Sequence, residues 1–328
     1  MNGKIQKFLL GASVVAGVSA IATTPALAAS ITGASITGTA PNDFEVWDVD
    51  PNITCPAEVC LGSKGTDTSN LIGILGGTAP KPGGNVELFK SSETLALPNF
   101  LSYGEVTSLD VDFDDNTSVI FSSLTAKDLF GEGLETSYTA DTVATKWFDD
   151  AFDANLAANN IDEKFLFTGL SFLTGGKFND REDLYNAFLT NGGFQRTVDP
   201  NIAYVTKNGN EVGFGLAGHT NLLFYADKDP ALKAALDNLP FELTLRASEL
   251  VKVSYSDQED ILYSFKGSPS NVASADNSFS FTYDDPFEVN VPPGDPTDPP
   301  ASVPEPSAIL GLMAVGGLFA AQRKLKKS

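Results

Sequence analysis

Thirteen residues near one end of this chain set how much of it can build a core. Residues 291–303, VPPGDPTDPPASV, hold five prolines and two aspartates but no aromatic residue. Proline fixes φ and has no backbone N–H, so this segment is expected to be an extended, semi-rigid linker. The foldable body then ends near Asn290. At the other end Lys4 and Lys7 precede an uncharged stretch from Phe8 to Ala22, and Pro25-Ala26-Leu27-Ala28 puts small residues at Ala26 and Ala28. That order of charge, apolar run and small-residue site predicts a secretory signal peptide over residues 1–28, cut by signal peptidase after Ala28. Residues 29–290 are left as the folded, extracytoplasmic domain.

Within that body Gly, Ser, Thr and Asn are abundant and 23 phenylalanines are scattered throughout, which favours strands and turns over long helices. The predicted class is α+β, mainly antiparallel sheet with about three helices in the middle of the chain. ITGASITG reads as an exposed edge or frayed start. Strands are expected at 43–49, 85–89, 108–113, 118–124, 202–206, 211–216, 241–246, 250–255, 261–265 and 278–283. The Asn208-Gly209 step in KNGN suits a tight hairpin with positive φ at both central positions. A second hairpin should carry Val251, Val253 and Tyr255 on one face, with residues 256–260 as its loop.

The predicted helices interrupt the strands. Residues 141–158 place Val143, Trp147, Ala151 and Leu156 near one stripe. The next helix starts at Asn179, capped by that side chain and by Glu182. A third starts at Asp229-Pro230, a cap followed by proline at the first helical position, and runs to about Leu239.

Charge narrows the partners. Six of the 21 basic residues are Lys4, Lys7, Arg323, Lys324, Lys326 and Lys327, so residues 29–322 carry 15 basic against 42 acidic side chains, a net of −27. Such a surface repels nucleic acid and anionic lipid. Cys55 and Cys60, the only cysteines, are expected to form a local disulfide in an oxidising compartment.

Catalytic signatures are sparse. The single histidine, His219 in GLAGHTN, reads as a polar residue in a turn just after a strand. There is no HExxH, no GxSxG and no phosphate-cradling glycine pattern. Two carboxylates beside Trp47 or Trp147 would point to a glycosidase; a flat aromatic face would point to a binding module. The most distinctive internal segment is LDVDFDDNT. If extended, it puts Asp110, Asp112 and Asp114 on one face and Val111 and Phe113 on the other. Oxygen clusters of that kind suit Ca²⁺. The competing reading is an edge strand kept from aggregating by its charges.

The C-terminus has three parts: Val303-Pro304-Glu305-Pro306, an apolar run of 14 residues from Ala308 to Ala321, and the basic Arg323, Lys324, Lys326 and Lys327. This end, under a tenth of the chain, resembles the sorting signal of bacterial PEP-CTERM proteins. The resemblance implies an exosortase partner, processing near Pro304–Pro306, and association with exopolysaccharide or biofilm. The apolar run is expected as a short transmembrane segment, giving transient or permanent inner-membrane anchoring before display at the cell surface or release. The expected role is that of a non-enzymatic acidic surface or matrix protein. A carbohydrate-binding envelope module and a polysaccharide hydrolase are the alternatives.

Overall fold

The computed structural model describes residues 29–48, 63–77, 83–219, 228–241, 243, 245–256, 258–265, 268–269 and 280–290. In chain order its strands are β1 (Ile31–Gly38), β2 (Phe44–Asp48), β3 (Ser63–Gly65), β4 (Gly84–Leu88), β5 (Thr107–Phe113), β6 (Ser118–Ser122) and β7 (Asn201–Asn208). They continue with β8 (Glu211–His219), β9 (Ala247–Ser248), β10 (Val251–Tyr255), β11 (Gln258–Leu262), β12 (Ser268–Pro269) and β13 (Ser280–Asn290). A smaller sheet runs β1-β5-β6-β10-β11. A larger one runs β12-β13-β8-β7-β4-β2-β3, with β9 beside β8. All the pairings are antiparallel.

The strands alternate as a half-buried sheet requires. Leu109, Val111 and Phe113 of β5, Val119 and Phe121 of β6, and Val251, Val253 and Tyr255 of β10 are buried. They share one core with Val46, Val86, Leu88, Val205, Phe214 and Leu216 of the larger sheet. The two sheets therefore enclose one apolar layer between their facing sides, and Phe121 meets Phe214 edge to face across it at 4.8 Å between ring centroids.

Seven helices occur among the described residues: α1 (Leu71–Leu75), α2 (Leu97–Ser102), α3 (Ala126–Phe130), α4 (Val143–Asn159), α5 (Glu163–Thr174), α6 (Arg181–Thr190) and α7 (Pro230–Asp237). α3 to α6 lie between β6 and β7 and, joined by α7, help to build two further cores, one around Trp147, Tyr185 and Phe194, the other around Phe152, Leu166 and Leu232 of α7. α4 starts on a Thr142 capping box and buries Trp147, Ala151 and Leu156, as its apolar stripe predicts. α7 is capped as expected: the Asp229 carboxylate accepts from the N–H groups of Ala231 and Leu232, with Pro230 opening the helix.

Several expectations are corrected. α5 replaces a segment in which no element was foreseen. α6 is capped one residue later, by Asp180 rather than Asn179, and the partner donor is the Asp183 N–H at 3.1 Å. No strand forms over the described part of 241–246. The first hairpin turns on Gly209-Asn210, because Asn208 still pairs with Glu211, and only Gly209 takes positive φ, +60°. Glycine at the first central position is the arrangement of a II′ turn, so the asparagine step is not needed there. The second hairpin closes after Tyr255, which pairs with Gln258, so its loop is two residues and not five.

The membrane and disulfide expectations are corrected too. Among the described residues no helix is long and apolar enough to cross a membrane, and the expected anchoring loses its support. The run 308–321 lies outside the described residues. Its 14 residues would rise only about 21 Å as a helix, against about 30 Å of hydrocarbon. No disulfide occurs among the described residues, and Cys55 and Cys60 lie outside them. The connection they sit in is already closed by pairing, since Asp48 of β2 faces Ser63 of β3, so no covalent clip is required.

Candidate functional site

Every residue of β4 is buried, so both of its faces are covered. Val86 and Leu88 point into the shared core, which leaves Asn85 and Glu87 on the other side of the larger sheet. Glu87 stands opposite Asn201 of β7. Asn201 binds Glu249 three times: its backbone N–H donates to Oε2 at 2.7 Å, and its amide Nδ2 donates to Oε1 and Oε2, each at 3.1 Å. Two residues before Asn201, Asp199 Oδ2 accepts from the Ser92 hydroxyl at 2.8 Å. Glu249 occupies the step between β9 and β10, where the chain leaves the larger sheet for the smaller one. The Leu250 N–H beside it donates to the Thr197 carbonyl at 2.7 Å.

The result is three carboxyl groups, none more than 3 % exposed. Burial pushes Asp199 well above the usual carboxylate range, and the charges of Glu93 and Glu87 push the same way. Burial also raises Glu249 strongly, followed by the charge of Asp199. Carboxyls so placed are the raw material of general acid–base chemistry. Here all three side chains are almost wholly removed from solvent. Asp199 Oδ1, Asn201 Oδ1 and both polar atoms of the Asn85 amide find no hydrogen-bond partner among the described residues. Among those residues no three acidic, histidine or cysteine side chains gather as ligands for a metal ion.

The accessible counterpart is α5. Asp162 caps it by accepting from the Phe165 N–H at 2.8 Å, and Gly175 ends it at φ +66°. Leu166, Phe167 and Leu170 are buried against α7, and Gly169 lets Leu239 approach: a Cβ there would sit 3.2 Å from its Cδ2. Phe165 and Phe172 stay 57 % and 85 % exposed. Phe172 borders an open hollow of about 800 Å³, lined also by Asp162, Lys164, Thr168, Ser171 and Asn179. Glu163, which also lines the hollow, is held by Arg181. The guanidinium donates to Glu163 at 2.7 and 2.9 Å, to Asp149 at 3.2 Å and to Asp153 at 2.5 Å, and lies 4.7 Å from the Phe152 ring centre. No family model, curated protein or solved structure matches the chain.

The aspartates singled out in the sequence do not converge. Asp110 and Asp112 share the outer face of β5, Asp110 accepting from Thr37 Oγ1 at 3.1 Å, and Asp114 lies beyond the strand end in the turn. Burial raises Asp110 above its ordinary range, ahead of the hydrogen bond from Thr37 that lowers it. β5 is also no edge strand: β1 covers one side and β6 the other. His219 is the last residue of β8, paired with Ala247 and Ser280, rather than part of a turn. Trp47 and Trp147 are both buried. The sorting residues Ala26, Ala28, Val303, Pro304, Glu305, Pro306, Arg323 and Lys324 lie outside the described residues.

Glu87, Asp199, Asn201 and Glu249 escaped sequence reasoning. The only signal available was an acid between the apolar Val86 and Leu88 in NVELF.

Proposed function

We propose that the chain is a non-enzymatic, acidic surface or extracellular-matrix protein, sorted by an exosortase system and associated with exopolysaccharide. The observation that supports this reading is where the chemistry and the apolar surface lie. The carboxyls best suited to acid–base work are sealed inside, whereas three of the four exposed large apolar side chains among the described residues, Phe165, Phe172 and Leu173, are on one helix. Such a body offers a contact face rather than a reaction centre. Intact-mass measurement of the native protein tests the sorting: the expected species begins at Ala29 and lacks the basic tail after Pro304–Pro306. A mature surface form still carrying Lys326 and Lys327 would sink the exosortase route.

The α5 face favours a second, narrower reading as a carbohydrate-binding module. Flat aromatic rings beside hydroxyl, amide and carboxylate groups suit a polyhydroxyl ligand, and a neutral polysaccharide meets no repulsion from a body of this charge. Calorimetric titration with purified neutral exopolysaccharide should give binding that Phe172→Ser abolishes. Equal binding by parent and variant would exclude α5 as the site. Among the described residues nothing supports the third reading, a polysaccharide hydrolase.

A further inference from the structure

We propose that Asn208 is a self-modification site: its side-chain amide closes on the backbone nitrogen of Gly209, and water opens the imide to aspartate or isoaspartate at the tip of the β7–β8 hairpin. The described residues hold two Asn-Gly steps, Asn191-Gly192 and Asn208-Gly209. In sequence the two are alike. Glycine has no Cβ to shield its nitrogen, so what separates them is whether that N–H is already engaged.

At the first step it is. Asn191 caps the C-terminus of α6, and the Gly192 N–H donates to the Leu189 carbonyl at 3.4 Å. The Lys228 ammonium donates to the Asn191 carbonyl at 2.7 Å, and a Cβ on Gly192 would sit within 4 Å of both Lys228 and Gln195. The second step is open. Asn208 and Gly209 are both exposed, and among the described residues neither the Asn208 side-chain amide nor the Gly209 N–H makes a hydrogen bond. A Cβ on Gly209 would meet nothing within 4 Å. Only the closing pair, Asn208 with Glu211, has to open for the nitrogen to swing onto Cγ, and the last rung of a hairpin opens at small cost.

The reaction needs only water and hydroxide. Hydroxide takes the Gly209 amide proton, the nitrogen attacks Asn208 Cγ, and the N–Cγ bond forms as the Cγ–Nδ2 bond breaks. The amide group leaves as ammonia, with a proton from water that regenerates hydroxide. Water then adds to either carbonyl of the imide. Breaking the new N–Cγ bond leaves aspartate in the original chain; breaking the bond to the main-chain carbonyl carbon leaves isoaspartate, with an extra backbone carbon. Either product sets a carboxylate opposite Glu211, and like charges facing across an antiparallel pair destabilise it. The extra carbon of isoaspartate also disturbs the register beside the Lys207–Val212 pair.

Incubation of the folded protein in mildly alkaline buffer, followed by peptide mapping that resolves aspartate from isoaspartate, tests this. Both products should accumulate at 208 roughly tenfold or more faster than at 191, where reaction awaits opening of a hydrogen-bonded helix end. The rate at 208 should rise with pH. In urea the two steps should react alike, and Asn208→Gln should stop the reaction at that position. The modified fraction, separated by anion exchange, should melt roughly 2 °C or more below the unmodified one. Equal rates at 191 and 208 in the folded protein overturn the proposal, as does an intact Asn208 under conditions that modify the unfolded chain. A modified fraction that melts with the parent overturns the loosening of the hairpin.

Discussion

Charge is buried at two places in this molecule, and in opposite ways. At one end of the sandwich Lys207 of β7 has a fully buried side chain whose ammonium donates to the Asp115 carboxylate and the Thr117 hydroxyl, 5.2 Å from the Phe113 ring centre. Across the larger sheet Glu87, Asp199 and Glu249 collect charges of one sign. The first place ties the two sheets through unlike charges; the second sets like charges where the chain crosses between them. Their electrostatic consequences are mirror images. Burial alone would raise Asp115, but hydrogen bonds from Lys207 and Thr117 outweigh it and hold the carboxyl below its usual range. The Asp115 contribution is therefore present above the ordinary carboxylate range and lost as pH falls through its folded-state value, whereas Asp199 and Glu249, raised by burial, lose theirs as pH rises.

The largest effect should come from breaking the unlike pair. Asp115→Ala strands a buried ammonium. Losing one partner of a fully buried pair costs about 3–5 kcal/mol, and because the Asp115 side chain is 39 % exposed we expect about 2–3 kcal/mol after solvent screening. Adding Lys207→Met should recover much of that loss, since an apolar side chain suits the site between Phe113 and Val205. Urea unfolding of the single and double variants checks both claims. Equal destabilisation of the two would mean that the pair is not what ties the sheets. The fall in stability on acidification below about pH 4 should also flatten in Asp115→Ala.

Breaking the like-charge cluster should cost less and depend on pH in the reverse sense. Asn201→Ala removes the amide that donates to both Glu249 oxygens and should cost about 1–2 kcal/mol. An ionised carboxyl needs those donors more than a neutral one, so the penalty should grow as pH rises. Unfolding curves at about pH 5 and pH 8 would decide it; a penalty that shrinks on alkalinisation contradicts the contrast drawn here.

The two places also differ from the strands around them in how far the sequence reveals them. Val251, Val253 and Tyr255 alternate with Lys252 and Ser254, and period two was enough to place β10 and its buried face. The same rule applied to β4 puts Glu87 opposite Val86 and Leu88, hence in solvent. The elements that cover that outer face come from residues about a hundred positions away, which no local pattern can show. Lys207 was hidden similarly: next to Asn208-Gly209 it reads as a polar turn residue, yet it faces the core with Val205. α5 escaped for the opposite reason. EKFLFTGLSFLT is apolar around most of its circumference, with Phe165 and Phe172 outside and Leu166 and Leu170 inside, so no single stripe announced a helix. The aspartates of β5 show the limit of the one-face argument. Alternation put Asp110 and Asp112 on the predicted side, but Asp114 falls in the turn closed by Phe113 and Thr117, where the strand has ended.

The smallest effect belongs to α5, where no charge is buried and apolar surface is left in solvent. Phe172 is 85 % exposed, so folding removes little of its ring from water and Phe172→Ser should change stability by no more than about 0.5 kcal/mol. That neutrality separates α5 from both buried sites: the ring contributes almost nothing to the fold, so any lost function belongs to contact with something else. Phe167 is the matching control, one buried turn away and stacked on Phe152 at 5.7 Å between ring centroids. Phe167→Ser should cost about 3 kcal/mol or more by leaving a cavity between α4, α5 and α7. Thermal unfolding of the two variants, read beside polysaccharide titration, distinguishes the roles. If Phe172→Ser proves as destabilising as Phe167→Ser, the ring is a packing residue, and the exposed face of α5 is no contact surface at all.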